Sequence, residues 1–278
     1  MKIEANPVEK KRETIKKANK VLRKKNCRTM KLRSRRVGKS VNLQNLFVAC
    51  KDVFQGPGTV PPPQDVQKLQ HILDTMKPED VGLSSDLLFF QPRNVVKGTQ
   101  SVTYTTLYQC KNFSICIFFL PPTAVIPLHN HPEMTVFSKL LLGSAHIKSY
   151  DWVDPSISDD HTLSSELRLA RMKANHVFTA PCNTSVLYPT SGGNIHAFTA
   201  QTACAILDVI GPPYSKDDGR DCTYYRDFPY SSSNDTTPEN EGNGDEATYG
   251  WLQEIDVPKD LSMDRIEYMG PQIVESRY

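Results

Sequence analysis

The 278 residues are 38% hydrophobic and 23% charged, with 20 prolines, 14 glycines and a formal net charge of +2. A chain of this size can bury a large core, as one big β domain or two ordinary ones, and its proline content points to many turns. No apolar run approaches the roughly 18 residues needed to span a bilayer, and the polar, basic start speaks against a secretory leader; a soluble intracellular protein with no membrane partner is expected.

The small net charge hides an asymmetry. Residues 1–40 carry 16 Lys and Arg against 3 Asp and Glu, a balance of +13, which leaves 17 against 28, or −11, for residues 41–278. Residues 1–40 therefore read as a basic, disordered arm with too little apolar content to fold alone. Such a cluster is a nuclear-import or polyanion-binding signal, or else a solvated tail. It lacks the interleaved aromatics that stack on bases, so direct nucleic-acid binding is not expected.

The rest reads as one domain, 41–278. From 41 to 90 the pattern is helical: Leu43, Leu46, Phe47, Cys50 and Phe54 recur at three- and four-residue spacing, and Val66, Leu69, Ile72, Leu73 and Met76 do so after the breaker GPGTVPPP. The segment KPEDVGL ends this helical lead-in. From 91 to 230 the chain reads as short strands (TYTTLYQC, FSICIFFL, TVFSKLLLG, AHIKSYDWV, HVFTA, TSVLYP, NIHAFTA, CAILDVIG) separated by turn-formers such as PPTAVIP, DPSISDD and PTSGGN. Many short strands without an intervening helix mean a sandwich or a small barrel. Residues 231–247 are polar and acidic and read as a disordered loop, and 248–278 regain apolar residues and are expected to return to the barrel.

The seven cysteines (Cys27, Cys50, Cys110, Cys116, Cys182, Cys204 and Cys222) are an odd set without a C-x-x-C pair. That excludes a disulfide framework and a structural zinc knuckle. Cys116 and Cys204, inside apolar strands, act as small hydrophobes.

Of seven histidines, His71, His146, His161 and His176 have no partner at ligand spacing and receive no role. His129 and His131, in PLHNHPEMTVFSKLLLG, would share one face of a strand and could share a metal. His196, after the Gly-Gly turn of PTSGGNIHAFTA, is the candidate third ligand. An H-x-H strand followed by a later P-x(1–2)-G-x(2)-H turn resembles the two motifs of the cupin superfamily. That likeness implies a mainly β fold, a cupin-type double-stranded β-helix (small jelly-roll barrel), with the N-terminal helices packed outside. Metal-binding cupins usually place a Glu four or five residues after the second His; Thr135 and Val136 stand there instead. Glu133 lies nearer but is expected to stay outside the ligand set. Three neutral histidines on an octahedral iron(II) leave open positions for a substrate that brings its own anion, such as a thiolate, although three histidines can also hold zinc.

With FTAPCNTSVLYPTSGGNIHAFTA and ACAILDVIGPPYS…GRDCTYYRDFP beside the H-x-H segment, the chain from about Leu43 onward resembles the plant cysteine oxidases, relatives of animal 2-aminoethanethiol (cysteamine) dioxygenase. The resemblance implies an Fe(2+) thiol dioxygenase, with His129, His131 and His196 as iron ligands and O2 as co-substrate. It would oxidise the N-terminal cysteine of target proteins, ethylene-response-type transcription factors among them, to cysteine sulfinic acid. The product would mark them for N-degron degradation, so that the enzyme senses oxygen in the nucleus and cytoplasm, as a monomer. Asp208, in AILDVIGPPY, matches an acidic residue near the substrate, and could receive its α-ammonium or orient a water; the alternative is a carboxylate at a strand end. Tyr214 matches a tyrosine facing the active site; the alternative is a turn tyrosine. Cys222 and Tyr224 match a pair that can crosslink in the animal relative and are not counted as catalytic. Two other readings stay open: a zinc-dependent cupin isomerase or hydrolase, and a non-enzymatic scaffold whose basic arm binds a polyanion.

Overall fold

The structure, a computed structural model, describes residues 40–91, 101–153, 166–230 and 248–275. The expected basic arm (Ser40 apart), the acidic loop 231–247 and His161 lie outside these residues; those described belong to one compact unit, Lys39–Tyr278.

Among the described residues, two α-helices lead in. Helix α1 (Val41–Val53) starts where the Ser40 hydroxyl accepts a hydrogen bond from the Leu43 N–H at 3.2 Å, satisfying one of the unpaired donors of the first turn. Helix α2 (Pro63–Thr75) starts with proline at its first position, where the missing N–H costs nothing. KPEDVGL then forms a 3-10 turn (Pro78–Val81) closed by Gly82 at φ 77°.

Twelve strands follow: β1 (Val102–Gln109), β2 (Ser114–Leu120), β3 (Val125–His129), β4 (Thr135–Leu142), β5 (Ser144–Trp152), β6 (Leu167–Thr179), β7 (Ser185–Leu187), β8 (Ile195–Ala200), β9 (Cys204–Gly211), β10 (Tyr224–Pro229), β11 (Tyr249–Ile255) and β12 (Met263–Arg265). One sheet has the order β12-β1-β2-β9-β4-β7. The other, β10-β11-β6-β5-β8-β3, closes on itself where Tyr224 pairs with His129. Successive strands β2 to β5 alternate between the sheets. The chain then reverses at the β5–β6 hairpin and pairs back antiparallel, β6 on β5, β7 on β4, β8 on β3 and β9 on β2. A hairpin wound on itself in this way is a double-stranded β-helix, the architecture expected.

The helices cover one face of the first sheet. Leu46, Phe47, Val53, Leu69 and Leu73 share a cluster with Phe113, Ile115, Ile117, Phe137, Leu207 and Val209. Strand β9 is consequently buried along its whole length. Its Ala205, Leu207 and Val209 meet the helices, and strand alternation turns Asp208 and Ile210 into the interior. A second tie joins α2 to the barrel: the Asp74 carboxylate accepts from both the N–H and the hydroxyl of Thr184, at 2.7 and 2.6 Å. In the C-terminal part, β11 lies inside the closed sheet and β12 at the edge of the other, parallel to β1.

Two elements differ from the sequence reading. The segment PPTAVIP is not all turn, because β3 begins at Val125 and carries Pro127 within it, where the β3–β8 register slips between Ile126 and His129. A proline is tolerated at such an irregularity because no ladder donor is needed there. HVFTA is only the end of a 13-residue strand, β6, whose first half (LRLARMK) interleaves apolar and basic side chains, with Leu169 and Ala170 adjacent.

Candidate metal centre

The interior between the sheets holds a cavity of about 400 Å³. Phe118, Ile126, Phe198, Ile210 and Met263 form its apolar walls, and His129, His131, His196, Asp208, Tyr214 and Tyr224 line it as well.

His129 ends β3 and His196 is its cross-strand partner on β8. On β8, Ile195 and Ala197 pack outward with Tyr150 while His196 and Phe198 face the cavity. His131 differs from expectation. It does not share a strand with His129, since β3 stops at His129 and His131 opens the turn that Met134 closes by donating to its carbonyl at 3.3 Å. The turn carries Glu133 at φ 57°, with its side chain in solvent and apart from the histidine cluster. Side chains hold the H-N-H segment in place of a ladder. Asn130 exchanges hydrogen bonds with Thr223 on one flank, at 2.9 and 3.1 Å, and Asn194 binds the His131 backbone on the other.

The three rings form a nearly equilateral triangle, with centroids 4.9, 4.8 and 4.8 Å apart, and one ring nitrogen of each lies within 4.8 Å of the others. Their outer hydrogen bonds decide which nitrogen is free. His129 Nδ1 lies 2.8 Å from the Pro127 carbonyl, which can only accept, so Nδ1 carries the proton and Nε2 keeps its lone pair. Tyr214 donates its one hydroxyl proton to the Asn130 carbonyl at 2.8 Å, and so accepts from His131 Nδ1 at 2.9 Å. That leaves His131 Nε2 as a donor atom, 2.9 Å from His196 Nε2. Metal–nitrogen bonds of about 2.0–2.1 Å put two ligands about 2.9 Å apart at a right angle and about 3.4 Å apart at the tetrahedral angle. The pair therefore fits adjacent corners of an octahedron.

Electrostatics agree with metal binding. Burial pushes all three imidazoles below their ordinary range, His131 and His196 well below it, where repulsion from the neighbouring histidine rings adds to the effect. They are neutral near pH 7, as ligands must be. The three residues fit a divalent ion without a protein carboxylate.

Asp208 lies in the cavity wall between Cys116 of β2 and Ser138 of β4, its cross-strand neighbours. Its Oδ1 has no hydrogen-bond partner among the described residues, and burial raises the carboxyl to about 7. Buried Cys116 is pushed up to about 12, first by burial and then by Asp208, so it stays a thiol. Burial and the neighbouring Cys222 likewise hold the Tyr214 phenol protonated. The structure thus brings together all five residues singled out from sequence. The sequence reading passed over Asn194 and Asp151, both buried; the signal available was a polar residue beside the Gly-Gly turn and a carboxylate inside an apolar strand.

A double-stranded β-helix whose lumen presents three neutral histidines to one point defines a cupin-type metalloprotein. The chain belongs to the PCO_ADO family, which it matches over residues 72–273. It is 52% identical over 240 residues to plant cysteine oxidase 2 of Arabidopsis thaliana, covering 84% of this chain and 83% of that one. Plant cysteine oxidase 1 of the same plant is 51% identical over 241 residues, covering 83% and 80%. Human 2-aminoethanethiol dioxygenase is 30% identical over 180 residues, covering 59% and 66%.

Proposed function

We propose that this protein is an iron(II)-dependent thiol dioxygenase that converts the N-terminal cysteine of target proteins to cysteine sulfinic acid. The observation that carries the reading is a cavity with three neutral histidines, no carboxylate among them, and one buried carboxylate, Asp208, whose Oδ1 has no partner among the described residues, in its wall. Iron(II) held by His129, His131 and His196 would supply the redox chemistry that joins both atoms of dioxygen to the substrate sulfur. Three histidines without a carboxylate leave open positions for a substrate that brings its own anion, which supports iron(II) and a thiolate over the zinc of a hydrolase.

The chain's own residues bind and orient. Asp208, ionised on meeting a cation, receives the α-ammonium of the substrate and so selects a free N-terminus. Its unpaired oxygen and its place opposite the histidines support this role. Tyr214 holds the His131 imidazole in the tautomer that frees Nε2. Phe118, Phe198 and Ile210 exclude water from the reacting sulfur.

Membership of the family supports a biological reading as well. Oxidation would depend on oxygen, so a Cys-initiated transcription factor of the ethylene-response type would persist when oxygen is low and enter N-degron degradation when it is not. The basic arm supports residence in the nucleus as well as the cytoplasm.

The test is mass spectrometry of a Cys-initiated peptide incubated in air with iron-loaded protein. The expected result is a gain of two oxygen atoms, absent without air, with an N-acetylated peptide, and with His196→Ala. An unchanged peptide would overturn the proposal.

A further inference from the structure

Strand β3 stops at His129, yet His131 is placed as firmly as a strand residue. The register explains how. His129 lies opposite His196, so an uninterrupted antiparallel ladder would set His131 opposite Asn194. The two backbones do not pair there. The Asn194 side chain takes the place of its own main chain: Oδ1 accepts from the His131 N–H at 3.1 Å, and Nδ2 donates to the His131 carbonyl at 2.8 Å. Nδ2 also donates to the Tyr188 carbonyl at 2.7 Å, so both amide protons are used. His131 is held off β8 by the length of a side chain, and its ring reaches His196 rather than lying over Asn194.

The same substitution occurs on the other flank of β8. Tyr150 of β5 pairs with Ile195, so Asp151 comes next, opposite Asn194. Again the ladder ends, and the Asp151 carboxylate accepts from the N–H groups of Gly193 and Asn194, at 2.8 and 3.0 Å. Both residues are buried, Asp151 8% and Asn194 7% exposed, so neither set of bonds is shared with bulk water.

We infer that Asp151 and Asn194 are positioning residues for the metal, a two-residue relay that sets the distance between His131 and His196. Asp151 locks the backbone of Asn194, and Asn194 locks the backbone of His131. Neither side chain reaches the metal. Outer partners that orient ligands commonly contribute 10- to 100-fold in metal affinity. The inference rests on the three-histidine metal site of the preceding section, but not on the identity of the substrate.

The test measures cobalt(II) affinity by competition with a chromophoric chelator, together with the thermal midpoint of the metal-free protein. Asn194→Ala is expected to weaken cobalt binding about 10- to 100-fold. Thr184→Val, which removes the hydroxyl half of the tie to Asp74 away from the site, is expected to lower the thermal midpoint and leave cobalt affinity within about threefold. If Asn194→Ala does not fold, the pair Asp151→Ala and Asp151→Asn carries the test. The asparagine keeps an acceptor for the Gly193 and Asn194 N–H groups and should retain affinity, whereas the alanine should lose it. Asn194→Ala or Asp151→Ala binding cobalt like the wild type would overturn the relay alone. Failure of Asp151→Asn to restore affinity would do the same. A wild-type protein that binds no cobalt would overturn both the relay and the metal site.

Discussion

The hydroxyl of Tyr214 lies 2.9 Å from Nδ1 of His131 while donating to the Asn130 carbonyl, so one phenol fixes both the tautomer and the tilt of a ligand 83 residues away in sequence. Phenylalanine in its place would leave a buried imidazole N–H without an acceptor. Tyr214→Phe should cost about 1–3 kcal/mol in stability and about 10-fold in metal affinity. Urea denaturation of the metal-free protein and metal competition measure the two effects separately; an unchanged metal affinity would show that the imidazole keeps its tautomer unaided.

Asp208 makes a prediction about pH whose sign is fixed by its environment. Burial raises its carboxyl from an ordinary 3.8 to about 7. The folded chain therefore holds this proton more tightly than the unfolded chain. The contribution to stability is fully present below pH 3.8 and is lost as the pH rises to about 7. Asp208→Asn should thus be more stable than the wild type at pH 8, with the advantage shrinking toward pH 4. Lowered imidazoles act in the opposite sense below pH 6.5, but equally in both proteins, so the difference between urea midpoints isolates Asp208. The same variant should lose turnover of a Cys-initiated peptide mainly through a raised KM.

Gly193 needs its hydrogen. Its φ is 83°, and a Cβ there would come within 2.6 Å of the Ser149 Oγ and 2.8 Å of its Cβ. Gly193→Ala should destabilise the fold by roughly 2–5 kcal/mol, from left-handed backbone and overpacking together. Adding Ser149→Gly should recover the packing part and leave about 1–2 kcal/mol of backbone cost. Chemical denaturation of the double-mutant cycle separates the two.

Truncation tests the arm. Removing residues 1–35 should leave peptide oxidation at the wild-type rate, as a self-contained barrel requires; loss of activity would favour the polyanion-binding scaffold. Trimming on through Ser40 removes the hydroxyl that caps α1 and also bonds Asp80. That shorter chain should lose about 0.5–2 kcal/mol more, read as a lower urea midpoint.

Local pattern was enough for much of this protein. Residues spaced for helices at 41–54 and 64–76 form α1 and α2, because burying one stripe is a property of the segment alone. Apolar β-branched runs such as CAILDVIG became fully buried strands. His129, His131 and His196 could be chosen as a set because their spacing and flanking turns are visible in one dimension. The sequence reading nevertheless put His131 on the wrong element. Whether it continues β3 depends on Asn194, 63 residues away, and on whether a side chain or a main chain answers its N–H. Pro127 masked β3 in the same way, since a proline is a strand-breaker until the register slip that accommodates it is known. The alternation in LRLARMK was legible but weak, with exposed basic residues outside and only Ala170 fully buried within. Spacing along the chain names the ligands. The 2.9 Å between two of their nitrogens, the tautomers and the raised carboxyl of Asp208 arise only when strands from both halves of the chain close around a dry cavity, because distance and desolvation are properties of that enclosure.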